Sequence, residues 1–426
     1  MKQTEIGLIP DDWEVIKFGD RVDIFRGGSP RPIERYITTN AYGINWIKIG
    51  DVRPNDKYIR QTEEKIIPEG KSRSREVKKG DFILSNSMSF GRPYILNIDG
   101  CIHDGWLTIQ NYSESFDKEF LYYLLGSDEV FKQYVQMAAG SSVQNLNKEK
   151  VADLQLKVPP LAEQQRIAKA LSDVDALIST TEKLIQKKKN IKQGTMQELL
   201  TGKKRLPGFS KSTRTKMTEL GEIPEDWEVK NINKECTIKA RIGWQGLKST
   251  EYLDSGDYIL ITGTDFDSGF INWKSCSYVS KWRFEQDKNI QIKQGDVLIT
   301  KDGTIGKVAF LNEIPMQGTL NSGVFVIRPK NPDKIDSVFL SLIFKSIWFD
   351  SFLEQITSGS TIVHLYQKDF VKFDFPLPSK EEQTAIANIL SSMDKEIETL
   401  NTKLEKYRNL KTAMMQQLLT GKIRLK

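Results

Sequence analysis

Two stretches of the chain carry apolar residues at alternating spacings of four and three positions, with charged residues between them. This spacing is typical of the seam of a coiled coil. Prolines precede each stretch, and Gly202 and Gly421 stand where the carboxyl-terminal cap of a helix is expected. The pattern predicts two helices of about 38 residues, each about 57 Å long. The apolar positions are Ile167, Leu171, Val174, Ile178, Ile185, Ile191 and Leu199 in the first stretch, and Ile386, Leu390, Met393, Ile397, Leu400, Leu404, Tyr407, Leu410, Met414 and Leu418 in the second.

Helices of this length need a partner, because each is longer than a domain of about 150 residues is wide. The equal partner within the chain is the other helix, so we expect an antiparallel coiled-coil pair with pseudo-two-fold symmetry. The alternative is an ordinary amphipathic helix that lies on its own domain. Thr181 and Lys188 interrupt the first seam where the second has Leu400 and Tyr407. Either that end of the pair is looser, or its surface contacts another protein.

The remaining sequence alternates short β-rich runs with turn residues, which is typical of strands in a twisted sheet. Each half also has one helical stretch, at 118–125 and 335–349, and a final short strand before the prolines. We therefore predict a mixed α/β (α+β) fold for each half, with a sheet and a few helices. The β-rich runs are 45–50, 81–85 and 94–97 in the first half, and 257–262, 296–300 and 307–311 in the second.

The chain contains an internal repeat. Thr4–Val15 recurs as Thr218–Val229 with nine of twelve positions identical, and Leu199–Leu206 recurs as Leu418–Leu425 with seven of eight identical. Between these matches the two halves differ strongly. The repeat predicts two variable globular bodies, each followed by a nearly constant helix. The predicted boundaries are 1–158 for the first body, 159–206 for the first helix, 207–217 for a linker, 218–377 for the second body and 378–426 for the second helix.

Composition limits the possible chemistry. Lys and Arg number 62 against 56 acidic residues, and the net charge of +6 permits a polyanionic partner without requiring one. Two His and three Cys, none at metal-ligand spacing, leave little for a catalytic triad or a zinc site, and we expect the cysteines to be reduced and buried. No phosphate-binding P-loop or methyltransferase motif is present. The sequence therefore predicts a protein that binds and is not itself an enzyme.

The amino-terminal residues are polar, and no apolar run approaches the length of a membrane span, so we expect a soluble, cytoplasmic protein without membrane contact. The basic charge is uneven, because eleven Lys or Arg and one acid lie between Lys183 and Lys216. That stretch is either a solvated linker or a segment that lies along nucleic acid.

Three pairs of polar loops recur at corresponding places in the two bodies. Their Arg, Lys, Asn and Gln side chains can contact phosphates or base edges, and a Trp can stack on a base. The alternative is that they are solvated or Gly-rich connections, with a packed Trp and a surface or packed His. The candidate DNA-contacting residues are Arg26, Ser29 and Arg31 with Arg241, Trp244 and Gln245; Ser85, Asn86, Ser87 and Arg92 with Thr300, Lys301 and Thr304; and Ser141 and Asn145 with Ser360 and His364.

The order of variable body, constant helix, variable body and constant helix resembles the specificity subunit of type I restriction–modification systems. The resemblance rests on the opening motif Thr4–Val15, on Pro159–Ala168 with its diverged copy Pro378–Ala387, and on the two Leu-Leu-Thr-Gly-Lys tails. It covers nearly the whole chain. The second copy departs from the family pattern at Ser379 and Lys380, where the family has Pro-Leu.

This resemblance implies two target recognition domains, each reading one half of a split double-stranded DNA sequence, and helices that fix the spacing. It also implies two methyltransferase (M) subunits that use S-adenosylmethionine, and restriction/motor (R) subunits that use ATP and Mg in the full complex. No cofactor is expected on this chain. The rival hypothesis is a protein-only scaffold whose bodies bind proteins. An autonomous nuclease or methyltransferase is disfavoured because its motifs are missing.

Overall fold

The computed structural model describes residues 1–53, 56–86, 91–138, 146–209, 214–357 and 364–425, and within these ranges the side chains of Ala138 and Trp244 are not described. The chain divides into two compact units. Unit 1 comprises Met1–Lys183 and Asn401–Lys426, and unit 2 comprises Leu184–Leu400. Each unit therefore contains one body together with part of both long helices.

Unit 1 contains two five-stranded sheets and two two-stranded sheets among its described residues. The strand orders are β4-β13-β10-β11-β7, β5-β8-β6-β12-β9, β1-β2 and β14-β3. The strands are β1 Lys2–Thr4, β2 Gly7–Ile9, β3 Glu14–Lys17, β4 Asp23–Arg26, β5 Ile37–Thr38, β6 Ile44–Ile47, β7 Tyr58–Ile59, β8 Glu64–Ile66, β9 Arg75–Val77, β10 Phe82–Ser85, β11 Pro93–Leu96, β12 Gly100–Ile102, β13 Trp106–Gln110 and β14 Gln155–Val158. The helices are α1 Lys118–Leu125, α2 Asp128–Ala138, α3 Lys148–Ala152 and α4 Leu161–Leu200.

Unit 2 repeats this plan with smaller sheets. The strand orders among its described residues are β18-β26-β23-β24, β22-β19-β25, β15-β16, β17-β27 and β20-β21. The strands are β15 Thr215–Thr218, β16 Gly221–Pro224, β17 Glu228–Asn231, β18 Cys236–Lys239, β19 Ile259–Ile261, β20 Phe266–Asp267, β21 Phe270–Ile271, β22 Ser277–Tyr278, β23 Val297–Thr300, β24 Val308–Phe310, β25 Gly318–Leu320, β26 Val324–Pro329 and β27 Asp374–Leu377. The helices are α5 Ile232–Glu235, α6 Lys281–Glu285, α7 Ser337–Ile343, α8 Ile347–Thr357, α9 Gln367–Phe370 and α10 Lys380–Leu418.

The mixed helix and sheet content confirms the predicted fold class, and every predicted β-rich run contains an observed strand. The helix predicted over 335–349 is wrong in one respect, because α7 ends at Ile343 and α8 begins at Ile347. The backbone closes this break with two tight turns, in which Lys345 N–H donates to Leu342 O and Ser346 N–H donates to Ile343 O. The three cysteines are buried as expected, and burial raises the pKa of Cys236 to about 12.

The two long helices have the predicted length, with 40 residues in α4 and 39 in α10. Each ends in a left-handed glycine, at φ 70° for Gly202 and 71° for Gly421, which confirms the predicted caps. Within each unit the two helix segments run antiparallel, because partners later on α4 bind partners earlier on α10. The ion pairs are Asp175–Lys411 at 2.7 Å and Glu182–Arg408 at 2.6 Å in unit 1, and Lys188–Glu396 at 2.7 Å with Lys192–Asp394 in unit 2.

The interruption predicted at Lys188 is therefore filled by an ion pair with a carboxylate of α10. Thr181 is buried, and its hydroxyl donates to Leu177 O of the preceding turn. Ile191 and Leu410, which occupy corresponding places in the repeat, were expected on the seam but are 44% and 45% exposed. In unit 2 the ion pairs of Lys188 and Lys192 with Glu396 and Asp394 connect the two helices near Ile191 instead.

The constant tail after α10 packs on the body of the first repeat. Arg424 donates to both oxygens of Asp12, at 2.8 and 2.7 Å, and to both oxygens of Glu163, at 2.7 and 2.6 Å. The Trp13 indole N–H donates to the same Glu163 carboxylate at 3.1 Å. We call Asp12, Trp13, Glu163 and Arg424 the tail clamp of unit 1.

Unit 2 has its own tail clamp, formed by the tail that follows α4. Arg205 donates to both oxygens of Asp226, at 2.8 and 3.0 Å, and to both oxygens of Glu382, at 2.6 and 2.8 Å. The Trp227 indole N–H donates to Glu382 at 3.1 Å. Each tail is thus bound in the unit that contains the other repeat's body, which the order of the sequence does not suggest.

Candidate nucleic-acid interface

Sheet topology brings the predicted loops of unit 1 to one edge. Strand β13 pairs antiparallel with both β4 and β10, with Arg26 opposite Leu107 and Ser85 opposite Trp106. The loops that follow β4 and β10 and the loop that precedes β13 therefore meet at the same end of the sheet. In addition, Leu146 N–H donates to Asn86 O at 3.0 Å, which ties the end of the third predicted loop to this place. We call this end the edge of unit 1.

The same topology forms an edge in unit 2. Strand β26 pairs antiparallel with β18 and β23, and Thr300 lies opposite Val324. The backbone contact also recurs, since Leu365 N–H donates to Lys301 O at 2.9 Å. The loops after β18 and β23 and the residues before β26 therefore meet as they do in unit 1. The correspondence expected between the loop pairs holds for the backbone.

A buried hydroxyl closes the turn at each edge. In unit 1, Arg92 N–H donates to Ser85 Oγ at 3.1 Å, and in unit 2, Lys307 N–H donates to Thr300 Oγ1 at 2.9 Å. The Thr300 hydroxyl also donates to Thr304 O at 2.6 Å. Ser85 and Thr300 are both buried, so the prediction that they contact DNA is corrected. Their hydroxyls instead stabilise the turn. The Thr304 side chain itself is exposed.

Asp104 joins the loops of unit 1, and sequence reasoning missed it. Its Oδ1 accepts from Ser29 Oγ at 2.5 Å, and its Oδ2 lies 3.7 Å from the Arg31 guanidinium. Its backbone oxygen accepts from Asn86 Nδ2 at 2.9 Å and from Arg26 Nε at 3.4 Å. Four candidate residues from two separate loops therefore converge on one aspartate. No spacing in the sequence signals this, because Ser29 and Asp104 are 75 positions apart.

The electrostatics of this edge favour an ionised Asp104. The Ser29 hydrogen bond, followed by the nearby His103 imidazole, holds the pKa of Asp104 below its usual value against the effect of partial burial. His103 Nε2 lies 3.3 Å from Asp104 Oδ1, and its Nδ1 accepts from Gly105 N–H at 2.8 Å. The carboxylate is thus fixed in place and charged at neutral pH.

Several exposed arginines lie on the loops that meet at this edge. The Arg31 side chain is 80% exposed, and Arg26 and Arg92 are also exposed. Arg73 and Arg75, which sequence reasoning missed, lie beside the loop: a Cβ on Gly28 would be 3.3 Å from Arg73 O, and the Arg75 guanidinium is 4.7 Å from the Phe25 ring centre. The alternating run Lys71-Ser-Arg-Ser-Arg was the available signal. The edge of unit 1 is therefore basic around one acid.

Unit 2 corrects two of the candidate residues. Arg241 is only 2% exposed, and its guanidinium donates to Leu320 O at 2.9 Å, Thr319 Oγ1 at 3.2 Å and Gln286 Oε1 at 3.3 Å. Burial, with the charge of nearby Arg283, lowers the pKa of Arg241. Gln245 is also buried, and its Oε1 has no hydrogen-bond partner among the residues that the structure describes. These side chains build the unit and do not face a partner.

Strand register explains the difference between Arg26 and Arg241. Arg26 ends β4 opposite Leu107 of β13. When the β18–β26 register is continued by one residue, Ala240 takes the corresponding place opposite Phe325, and Arg241 is one residue farther along. Successive side chains of a strand point to opposite faces, so a shift of one residue exchanges an exposed side chain for a buried one.

The edge of unit 2 exposes a different set of side chains. His364 Nδ1 bonds the Asp302 carboxylate, and the His364 ring lies 4.2 Å from the half-exposed Tyr366 ring. Lys301 lies over the Phe325 ring at 5.3 Å. Trp282, which sequence reasoning missed, is 64% exposed with the Arg283 guanidinium 4.7 Å from its ring centre. This edge therefore offers aromatic rings where unit 1 offers arginines.

Four of the candidate residues, Ser87, Ser141, Asn145 and Ser360, lie outside the described residues, as does the side chain of Trp244. Within the part of the chain that the structure describes, no group of three or more His, Cys, Asp or Glu side chains is placed to hold a metal ion. None of the described helices is long and apolar enough to cross a membrane.

Comparison with known proteins identifies the family. The model of the type I restriction modification DNA specificity domain matches the chain twice, at residues 10–193 and 224–406. The chain is 29% identical to the putative type I restriction enzyme MjaX specificity subunit of Methanocaldococcus jannaschii over 443 residues, which cover 100% of this chain and 97% of that protein. It is 27% identical to the MjaVIII specificity subunit of the same organism, over 98% of this chain and 94% of that protein.

Solved structures share the fold. A chain from a structure of the assembly and conformational transition of a type I restriction–modification system matches with a TM-score of 0.60 and 19% identity, covering 98% of this chain and 100% of that one. The type I restriction-modification S subunit from M. genitalium matches with a TM-score of 0.57 and 14% identity, covering 98% of both chains. With two matches of the family model that together span most of its length, the chain belongs to the type I restriction–modification DNA specificity family.

Proposed function

We propose that this chain is the non-catalytic DNA-reading subunit of a type I restriction–modification complex, and that each edge reads one half of a bipartite double-stranded target. The observation that carries the proposal is that one chain builds the same edge twice, with the same backbone turn and different exposed side chains. In unit 1, the exposed Arg26, Arg31 and Arg92 are suited to guanine or phosphate contacts. The predicted contact of Asn86 is corrected, because its side chain is buried and its Nδ2 donates to Asp104 O at 2.9 Å. In unit 2, the candidate contacts at the edge are Lys301, Thr304 and His364, with Trp282 and Tyr366 as candidate stacking groups.

The helices and their partners complete the proposal. Helices α4 and α10 set the spacing between the half-sites and dock two methyltransferase subunits. S-adenosylmethionine, ATP and Mg belong to the methyltransferase and restriction/motor subunits, and the complex works in the cytoplasm. The duplication supports two equivalent docking sites on one chain. The modest net charge of +6 is compatible with DNA binding if partner subunits supply further phosphate contacts.

The test is to exchange one body while the clamp residues stay in place. Phe18 N–H donates to Leu154 O at 2.9 Å, so the chain enters and leaves the body of unit 1 side by side. Residues 18–154 can therefore be replaced by the corresponding segment of a relative. We expect methylation mapping in a host that carries the whole system to show a new first half-site and an unchanged second one.

An unchanged target, or a change in both halves, would contradict the proposal. DNA binding by the purified complex tests the rival hypothesis of a protein-only scaffold. Sequence-selective DNA binding that weakens steeply with salt supports DNA reading, whereas its absence in the purified complex supports a protein scaffold.

A further inference from the structure

The only two histidines of the chain both lie at the edges, and each is bonded to an aspartate. In unit 1 the pair is His103 with Asp104, and in unit 2 it is His364 with Asp302. In each unit the two residues belong to the edge. A carboxylate at a surface that is to meet phosphates is costly, because like charges repel. Its presence at both edges needs an explanation other than phosphate binding.

In unit 1 both ring nitrogens of the histidine lie close to polar groups of the protein. Gly105 N–H donates to Nδ1, which assigns the ring proton to Nε2, and Nε2 faces Asp104 Oδ1 at 3.3 Å. His103 therefore has its Nδ1 occupied by a backbone N–H and its Nε2 beside the Asp104 carboxylate. Its effect is to fix the position of the Asp104 carboxylate.

The Asp104 carboxylate in turn fixes its neighbours. Ser29 donates to it at 2.5 Å and the Arg31 guanidinium lies 3.7 Å away, while the backbone of the same residue holds Asn86 and Arg26. At 3.7 Å the carboxylate can form an ion pair with the exposed Arg31 guanidinium, which competes with a phosphate for the same cation. A guanidinium that is paired in this way gains less from a phosphate, so the two acceptors of a guanine edge account for a larger share of the energy that it gains from DNA.

We infer that Asp104, fixed by His103, is the positioning and specificity-determining residue of unit 1, and that Asp302 with His364 has this role in unit 2. The inference rests on the proposed function. The carboxylate orients the reading side chains and lowers the affinity of the edge for DNA of any sequence. The two units differ in one respect: His364 is bonded through Nδ1, so its Nε2 is the atom that can contact a base.

The test compares Asp104→Asn and Asp104→Ala with the wild-type chain in the assembled complex. The two affinities measured are those for target DNA and for DNA of unrelated sequence at one salt concentration. We expect Asp104→Ala to lower the ratio of the two affinities by about ten-fold or more, which is the discrimination that a good base contact supplies. Binding to unrelated DNA should become tighter, because a negative charge is lost. Asp104→Asn keeps an acceptor for the Ser29 hydroxyl, so its affinity ratio should fall between those of the wild-type chain and Asp104→Ala.

Methylation of each half-site separates positioning from folding. Asp104→Ala should relax the first half-site and leave the second unchanged, while Asp302→Asn should do the reverse. The matched control is Asp153→Asn, which removes an exposed carboxylate of unit 1 that pairs with Lys17 at 2.7 Å, outside the edge. If Asp104→Ala fails to fold, the Asn variant decides the question.

Two failures are distinguishable. A wild-type complex without sequence selectivity refutes the proposed function itself. If the wild-type complex is selective but its Asp104 variants keep the same affinity ratio, only the role assigned to the aspartate is refuted. Equal loss of affinity for both DNAs is one form of this result.

Discussion

In both units the tail clamp joins one arginine to two carboxylates, and a tryptophan indole donates to one of the two at the same distance of 3.1 Å. The edges are different: they share a backbone turn, but unit 1 exposes arginines whereas unit 2 exposes the Tyr366 ring beside the His364–Asp302 pair. The clamp binds elements common to both repeats, so the same chemistry works twice. In the proposed function each edge binds a different half-site, and accordingly the two edges share a backbone turn but not their exposed side chains.

The comparison also shows how the fold separates the two tasks. The clamp residues come from the entry of each body, from the start of a long helix and from the tail, and the strands that form the edge contribute none of them. The sequence of a body can therefore change between its entry and exit without touching the clamp. That separation is what a protein needs if its target changes while its partners stay the same.

The largest expected effect comes from breaking the clamp. Arg424→Ala leaves the buried Glu163 carboxylate without its cation and should lower the free energy of unfolding of unit 1 by about 3–5 kcal/mol. Because the tails are exchanged, the loss should appear in the amino-terminal body, while Arg205→Ala should destabilise unit 2. Hydrogen exchange of peptides from each unit measures both effects. Lys422→Ala, at an exposed lysine of the same tail, is the control, and loss of protection in the other unit would contradict the exchanged arrangement.

Acid should weaken the same clamp. Burial of Glu163 by itself would raise the pKa of its carboxyl group, but the hydrogen bonds from Arg424 and Trp13 outweigh it and hold the pKa below the ordinary value of 4.5. The stability that Glu163 contributes is therefore present above pH 4.5 and is lost as the pH falls through the lower folded-state pKa. Glu163→Gln should flatten the decline of unit 1 stability below this pH, as measured by denaturant unfolding, and an unchanged slope would speak against it.

The next effect tests the register difference between the edges. Arg241→Met leaves two buried acceptors, Leu320 O and Thr319 Oγ1, without this donor and should cost about 2–4 kcal/mol in unit 2 stability. Arg26→Ala should change the stability of unit 1 by less than about 0.5 kcal/mol, because its side chain is exposed, yet it should weaken binding to target DNA. Unfolding curves and binding measurements on the same two variants check this. The reverse result, a stable Arg241 variant with weakened DNA binding, would restore Arg241 as a base-contacting residue.

The pattern of residues within a segment predicted the structural features that depend on that segment alone. The lengths of α4 and α10 and the caps at Gly202 and Gly421 follow from local pattern and were confirmed. The errors concern partners that are far away in sequence. The exposure of Arg241 depends on the register of β18 with β26, about 90 positions later, and the role of Asp104 depends on three loops that meet only in the folded sheet. Each tail could pack on either body. Because the two tails are nearly identical in sequence, the sequence does not show which body each tail binds.

The smallest expected effect tests whether the buried hydroxyl stabilises the turn in the same way in both units. Thr300→Val keeps the shape of the side chain but removes the acceptor for Lys307 N–H and the donor to Thr304 O, and should cost about 1–2 kcal/mol. Ser85→Ala removes the corresponding acceptor for Arg92 N–H in unit 1 and should cost a similar amount. Each variant should weaken methylation of its own half-site only, because the turn carries that unit's exposed residues.

The matched control for this pair is Thr304→Val. Only the backbone oxygen of Thr304 takes part in the turn, so this variant should leave unit 2 stability unchanged. If it nevertheless alters recognition of the second half-site, Thr304 is a reading residue and the turn is its support. If Thr300→Val and Thr304→Val behave alike in both measurements, the division between a shared backbone and unit-specific side chains is wrong at this edge.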